Sequence, residues 1–243
     1  FMDGIREAEG GVAYVGGRSL GLVHLRARDG NDLTTLPLEM IRLSDRAEGD
    51  LGRACKLADE DIGKVKWLPR MQGSTLYLVG GAFRALARLD IARKQYPLNI
   101  VHYYTLEAKE VQEMTSWLLD TPRRSLERLP GAPRKRLDDV PFAATVLRRL
   151  VRKVQPGKVV FCVDGLREGW YMLNVASELL AQDPMESVAR EMCDRLGRSS
   201  TLPAVLHDWT DCLNPAENRR ARYPLRLASY LSGIGSHDPP EYR

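Results

Sequence analysis

Thr75-Leu76-Tyr77-Leu78-Val79-Gly80-Gly81-Ala82-Phe83-Arg84-Ala85-Leu86-Ala87-Arg88-Leu89 decides the fold class. Its first five residues are a short apolar run of strand length, consistent with a strand buried on both faces. Gly80-Gly81 ends the run, and from Ala82 to Arg93 the apolar residues Phe83, Leu86, Ala87 and Ile91 recur at helical spacing. A buried strand passing through a glycine pair directly into a helix is the building unit of an α/β protein.

Upstream, Val12 to Val15, Leu20 to Leu25 and Leu33 to Leu43 carry apolar residues separated by Gly and Asp-Gly signals, which predicts a three-strand meander. Asp50 is placed to cap a helix running towards Lys66, with Leu51, Ala54, Cys55, Ala58 and Ile62 on one face. Downstream, Glu107 to Leu119 reads as an amphipathic helix, and Pro141 opens another carrying Ala144, Val146, Leu147 and Leu150. Lys158 to Val163 is a late strand, followed by Gly165 and a helix expected from Leu166 to Leu180. Beyond Asp183-Pro184 only helical segments remain, around Ser187 to Leu196, Leu202 to Cys212 and Pro224 to Leu231. The expectation is an α/β domain over 1–182 and the start of a helical domain over 183–243.

Composition bounds the function. The 243 residues are 44% hydrophobic and 28% charged, enough apolar material for a sizeable core. No run of eighteen apolar residues appears and the first residues lack the order of a signal peptide, so a cytoplasmic protein with no membrane partner is expected. Cys55, Cys162, Cys193 and Cys212 form no CxxC pair and are read as reduced core thiols, not as a zinc site or disulfide framework. The net charge of +4 favours anionic partners. No basic stretch interleaved with aromatics appears, so nucleic acid is not expected.

Five stretches, in order, carry a resemblance. Ile5-Arg6-Glu7-Ala8-Glu9-Gly10-Gly11-Val12-Ala13-Tyr14-Val15-Gly16-Gly17-Arg18-Ser19-Leu20-Gly21-Leu22 resembles a phosphate loop in which a strand bearing Asp precedes Leu-Gly-Gly-Gly-Ser-Leu-Glu-Leu. Leu76 to Leu89 is similar to a strand, glycine pair and helix in which the glycines allow a ligand or helix to approach the backbone. Tyr96-Pro97-Leu98 with His102-Tyr103-Tyr104 is similar to Tyr-Pro-Leu followed by His-Gly-Tyr. Val159-Val160-Phe161 with Gly165-Leu166-Arg167-Glu168-Gly169 resembles a strand and a Gly-Leu-Arg-Glu-Gly turn. Leu225-Arg226-Leu227-Ala228 with Asp238-Pro239-Pro240-Glu241-Tyr242-Arg243 resembles the start of a helical domain similar to HD phosphohydrolases. Together they identify the chain as similar to the exopolyphosphatase/guanosine pentaphosphate phosphatase (Ppx/GppA) family.

That resemblance implies an actin-like (ribonuclease-H-like) domain followed by an all-α segment. It implies hydrolysis of a phosphoanhydride: terminal phosphate from inorganic polyphosphate, or the γ-phosphate of guanosine pentaphosphate, with magnesium (Mg2+) as cofactor and commonly a homodimer. The phosphate-binding residues would be Gly16, Gly17, Arg18 and Ser19; the substrate cleft would include Gly80, Gly81, Arg84, Arg167 and Glu168. The general base is expected upstream of residue 1, on a first actin-like domain, and no metal ligand is assigned. Arg134-Lys135-Arg136 reads as a solvated basic loop, or as a track for a polyanion. His102 is expected to pack in the sheet, Arg167 and Glu168 to form a local ion pair, and His237-Asp238 is an HD pair without further ligands.

Three positions depart from the family's loop: Tyr14 stands for its Asp, Arg18 for its third Gly and Gly21 for its Glu. A neutral phenol and a glycine cannot hold a metal or activate water as carboxylates do. A second expectation therefore stands beside the first: a module that holds phosphate or polyphosphate without cleaving it.

Overall fold

A computed structural model describes residues 9–16, 19–26, 29–197, 199–213 and 219–237. By its contacts the chain divides into two compact units, Phe1–Leu173 and Asn174–Arg243.

The first unit is built on a six-stranded sheet: β1 (Gly10–Val15), β2 (Leu20–Arg26), β3 (Asp29–Leu36), β4 (Thr75–Val79), β5 (Tyr104–Glu107) and β6 (Lys158–Cys162). Their order across the sheet is β3-β2-β1-β4-β6-β5. The first three form an antiparallel meander, β4 lies parallel to β1, β6 parallel to β4, and β5 antiparallel to β6. Helices α1 (Met40–Arg46), α2 (Leu51–Gly63), α3 (Gly81–Arg93), α4 (Ala108–Asp120), α5 (Arg123–Glu127), α6 (Val140–Val154) and α7 (Leu166–Met172) complete it.

Side-chain alternation divides the core. Leu76, Leu78, Val159 and Phe161 enter the large cluster with the apolar residues of α2, α3, α4 and α6, while Tyr77, Val79, Val160 and Cys162 join Leu25 on the other face. Burial on both faces is what an unbroken apolar strand such as β4 requires. The thiol of Cys162 is pushed up to about 12 by this burial, with Asp164 adding to it, and stays protonated. α6 is the central helix, in contact with α2, α3 and α4, and Asp50 accepts from the Arg53 N–H to cap α2 as its position predicts.

The buried carboxylates Asp90 and Asp61 are matched. Asp90, fully buried on α3, accepts from the Tyr104 hydroxyl at 2.8 Å and from Arg93 at 2.6 Å. Asp61 accepts from Arg46 at 2.9 Å and Lys64 at 2.6 Å. Such pairing is the condition on which a carboxylate is tolerated in a core.

Several boundaries differ from the sequence reading. The third strand stops at Leu36, and Met40 to Arg46 is helical because Glu39 accepts from the Arg42 N–H and opens a new turn. The single helix expected over 166–180 is two short ones, α7 and α8 (Ser177–Leu180), neither of which buries a residue. Of the four cysteines, Cys162 and Cys193 are buried, Cys55 is half-buried and Cys212 is exposed, so the last is not a core thiol.

The second unit holds α8, α9 (Pro184–Leu196), α10 (Leu202–Leu213), α11 (Arg219–Leu231) and a short turn at Ile234–His237. Asp183 caps α9 through the N–H groups of Met185 and Glu186. Among the described residues no helix is long and apolar enough to cross a membrane.

Candidate functional site

β1, β4 and β6 run in one direction, and their register aligns Tyr14 with Val79 and Val79 with Cys162. With strands about 4.8 Å apart, the carboxyl ends of all three lie within about 10 Å. Ligands of open α/β sheets gather at such an edge.

At the end of β1, Gly16 donates its N–H to the Ser19 carbonyl at 3.0 Å and so closes a two-residue hairpin. This bond commits the Gly16 N–H to the turn itself. Gly17 and Arg18, the loop's centre, lie outside the described residues. The Tyr14 ring lies against Gly16: a Cβ placed on that glycine would stand 2.8 Å from Tyr14 Cε1. Tyr14 and Gly21 are direct partners across the β1–β2 ladder. The two positions where the resembling loop has carboxylates therefore face each other.

At the end of β4, Gly80 has a φ of 118°, and a Cβ there would lie 2.4 Å from the Val15 carbonyl oxygen. Only glycine satisfies both conditions, and it lets the chain turn from β4 into α3 against the end of β1. Gly81 begins α3, and a Cβ on it would stand 2.9 Å from Arg136 Cζ. Gly81, inside the stretch that decides the fold class, thus carries a guanidinium from the distant basic loop. Arg136 is joined to Asp139 at 3.3 Å; burial raises the Asp139 carboxyl above its ordinary range, with Arg136 opposing. Arg84, in the first turn of α3, donates to the Val163 carbonyl at 3.0 Å.

At the end of β6, Asp164 lies 4.0 Å from His102 Nε2, while His102 Nδ1 faces the Val163 N–H at 3.4 Å. His102 thus stands at the sheet's carboxyl rim, edge-on to Tyr103, instead of packing within the sheet. Tyr103 occupies the glycine position of the His-Gly-Tyr pattern and has a φ of 62°, the left-handed region that a bulky residue enters only at a cost. Glu168 accepts from the Gly165 N–H at 2.7 Å and caps α7. Bonds from its own N–H and from that of Gly165 hold its carboxyl below the usual range. Glu168 therefore serves the turn, and Arg167 is an exposed neighbour on the same short helix.

The edge combines the amino end of α3, which carries roughly half a positive charge, with the guanidiniums of Arg136 and Arg84. That arrangement favours an anion. The sequence marks Gly80, Gly81 and Arg84 as cleft residues and Arg136 as part of a solvated loop or polyanion track, and gives Asp164 no role. The signal for Asp164 was available: an acidic residue directly between a buried strand and a helix-starting glycine.

The donor set does not fit a magnesium ion held by protein groups. Among the described residues no cluster of three His, Cys, Asp or Glu is placed to hold a metal, and Tyr14 and Gly21 supply no carboxylate. Asp238, and with it the HD pair, lies outside the described residues.

No protein-family profile and no curated protein matches the chain. Solved structures do. The type II variant of the Aquifex aeolicus Ppx/GppA phosphatase is similar at 19% identity and a TM-score of 0.59, covering 72% of this chain and 60% of that one. An exopolyphosphatase from Cytophaga hutchinsonii is similar at 19% identity and a TM-score of 0.59, covering 69% and 57%. An exopolyphosphatase-like protein is similar at 18% identity and a TM-score of 0.59, covering 72% and 60%. The chain spans no more than 60% of the length of these three structures. With its sheet order, its glycine-led α3 and its following helical segment, the chain has the actin-like fold of the Ppx/GppA phosphatases.

Proposed function

We propose that this chain belongs to the exopolyphosphatase lineage and grips the terminal phosphates of a phosphoanhydride, either inorganic polyphosphate or guanosine pentaphosphate. The observation that carries this is the seat of Arg136 on Gly81. Asp139 balances part of the Arg136 charge from 3.3 Å, and a further anion at the positive end of the helix would add about 0.3–1 kcal/mol. A phosphate group seated there would meet the N–H groups of α3's first turn and two arginine forks, which suit its geometry. In phosphoryl transfer such positioning and charge neutralisation supply most of the acceleration. The actin-like fold and the names of the similar structures support the substrate class. Residues 183–243 are, on this reading, the start of a helical HD-like domain.

A second reading is favoured by the Tyr14–Gly21 pair: a module that holds the polyphosphate without cleaving it. The two readings separate in one experiment, phosphate release from long-chain polyphosphate with magnesium, run beside a calorimetric titration of the same polymer. Release lost in Arg136→Gln supports hydrolysis. Binding without release supports the module, and absence of both overturns the two together.

A further inference from the structure

Among its described residues the helical unit buries few apolar side chains, Ala189 and Cys193 on α9 being two of them. α9 and α11 are joined instead by polar rungs. The Tyr223 hydroxyl donates to Asp183 at 2.8 Å, Arg226 Nη2 donates to Glu186 Oε1, and Arg190 Nη2 donates to the Tyr230 hydroxyl at 3.2 Å. Each rung joins residues 40 apart, so the two helices run side by side in the same direction. Arg190 Nη2 also reaches Glu186 Oε1 at 3.0 Å, and its guanidinium lies over the Tyr230 ring, 5.5 Å from the centroid. One carboxylate oxygen thus holds two guanidiniums, and a positive charge is left over within this trio.

Beside it a cavity of about 490 Å³ opens, lined by Arg190, Arg226, Tyr230 and His207, with Asp194 and Asp208 also on its wall. The bonds named above use a single nitrogen of each fork, although a guanidinium carries five N–H donors. Arg190 is fixed by ring stacking and two bonds, which lowers the entropy lost on gripping a ligand. The carboxylates oppose a bare dianion but accept from hydroxyl groups. His207 Nδ1 lies 3.9 Å from Asp208, which joins the two kinds of lining.

We propose that this cavity binds a phosphomonoester of a polyhydroxylated carrier, as in a sugar phosphate, with the phosphate on Arg190 and Arg226 and the hydroxyls on Asp194 and Asp208. The site lies within the helical unit and is independent of the phosphate grip proposed for the sheet edge.

The probe is ribose 5-phosphate, added to the full chain while the imidazole signals of His207 are followed by nuclear magnetic resonance. Saturable shifts are expected, with affinity about ten- to hundredfold weaker in Arg226→Gln, as for a lost charge-assisted bond. Ser19→Ala, in the first unit, should leave the titration unchanged. Asp208→Asn should weaken ribose 5-phosphate and spare inorganic phosphate. If Arg226→Gln loses helicity, Arg226→Lys keeps the charge without the fork and should bind at intermediate strength. No saturable shift in the wild-type chain, or equal affinity in folded Arg190→Gln and Arg226→Gln chains, overturns the site. Equal affinity for inorganic phosphate and ribose 5-phosphate overturns the sugar-phosphate class.

Discussion

Arg136 lies on Gly81, so close that a Cβ on the glycine would meet Cζ at 2.9 Å and Nε at 3.0 Å. The contact joins the basic loop to the first residue of α3, and the colliding atoms are the far end of a flexible side chain. Gly81→Ala should therefore cost little stability, under about 1 kcal/mol, because alanine favours the helix as the guanidinium moves aside. Polyphosphate affinity should fall several-fold in Gly81→Ala and about tenfold or more in Arg136→Gln. The dependence of affinity on salt should also flatten in Arg136→Gln. Calorimetric titration at two ionic strengths, with thermal melts alongside, checks both. Unchanged affinity in the two variants would remove the sheet edge as the phosphate grip.

Tyr14 and Gly21 are cross-strand partners, and a Cβ at Gly21 meets nothing nearer than the Tyr14 carbonyl oxygen at 3.8 Å. Gly21→Glu therefore has room. With Tyr14→Asp it places two carboxylates directly opposite, with Cβ atoms about 5 Å apart. Like charges at that spacing destabilise, so the double variant should melt lower than the wild type without metal. Magnesium should restore the melting temperature in the double variant and leave the wild type unmoved. A double variant indifferent to magnesium would show that these positions do not converge on one ion.

Much of this was legible before the fold. The run Thr75 to Val79 and its glycine pair gave β4 and α3 because a strand buried on both faces leaves an unbroken apolar signature. β5 was not legible: four residues on the sheet edge, alternating buried and exposed, are too few for periodicity to register. Met40 to Arg46 misled because Leu36, Leu38 and Met40 alternate like a strand, whereas the deciding feature is the cap at Glu39. The seat of Arg136 on Gly81 and the facing of Tyr14 and Gly21 depend on loop path and strand register. Neither leaves a local trace in the sequence.

Tyr103 holds a left-handed backbone conformation at φ 62° and is half exposed, so its ring recovers little by burial. A non-glycine residue in that region costs about 1–2 kcal/mol. Tyr103→Gly should raise stability by about 1 kcal/mol or leave it unchanged, despite losing the edge-on contact with His102. Tyr103→Ala, which keeps the strain and loses the ring, should be less stable than either. Urea denaturation of the three chains gives the order, and Tyr103→Gly falling below Tyr103→Ala would show that the ring matters more than the backbone.

Asp61 gives stability a defined dependence on acid. Burial alone would raise its carboxyl, but hydrogen bonds from Lys64 and Arg46 outweigh this and hold it below the ordinary 3.8. A carboxyl depressed in the folded state stabilises the fold above its unfolded value, and that stabilisation is lost as pH falls through the folded value. The contribution is thus fully present at neutral pH and disappears below 3.8. Asp61→Asn should cost about 1.5–3 kcal/mol at neutral pH, since one amide oxygen replaces the two carboxylate oxygens that accept from Arg46 and Lys64 and both cations lose their counter-charge. On acidification the wild type should lose stability faster than the variant, so the two curves converge below 3.8. Urea denaturation across that range measures the gap directly. A gap that stays constant with pH would mean Asp61 acts through packing alone and that its charge contributes nothing to the fold.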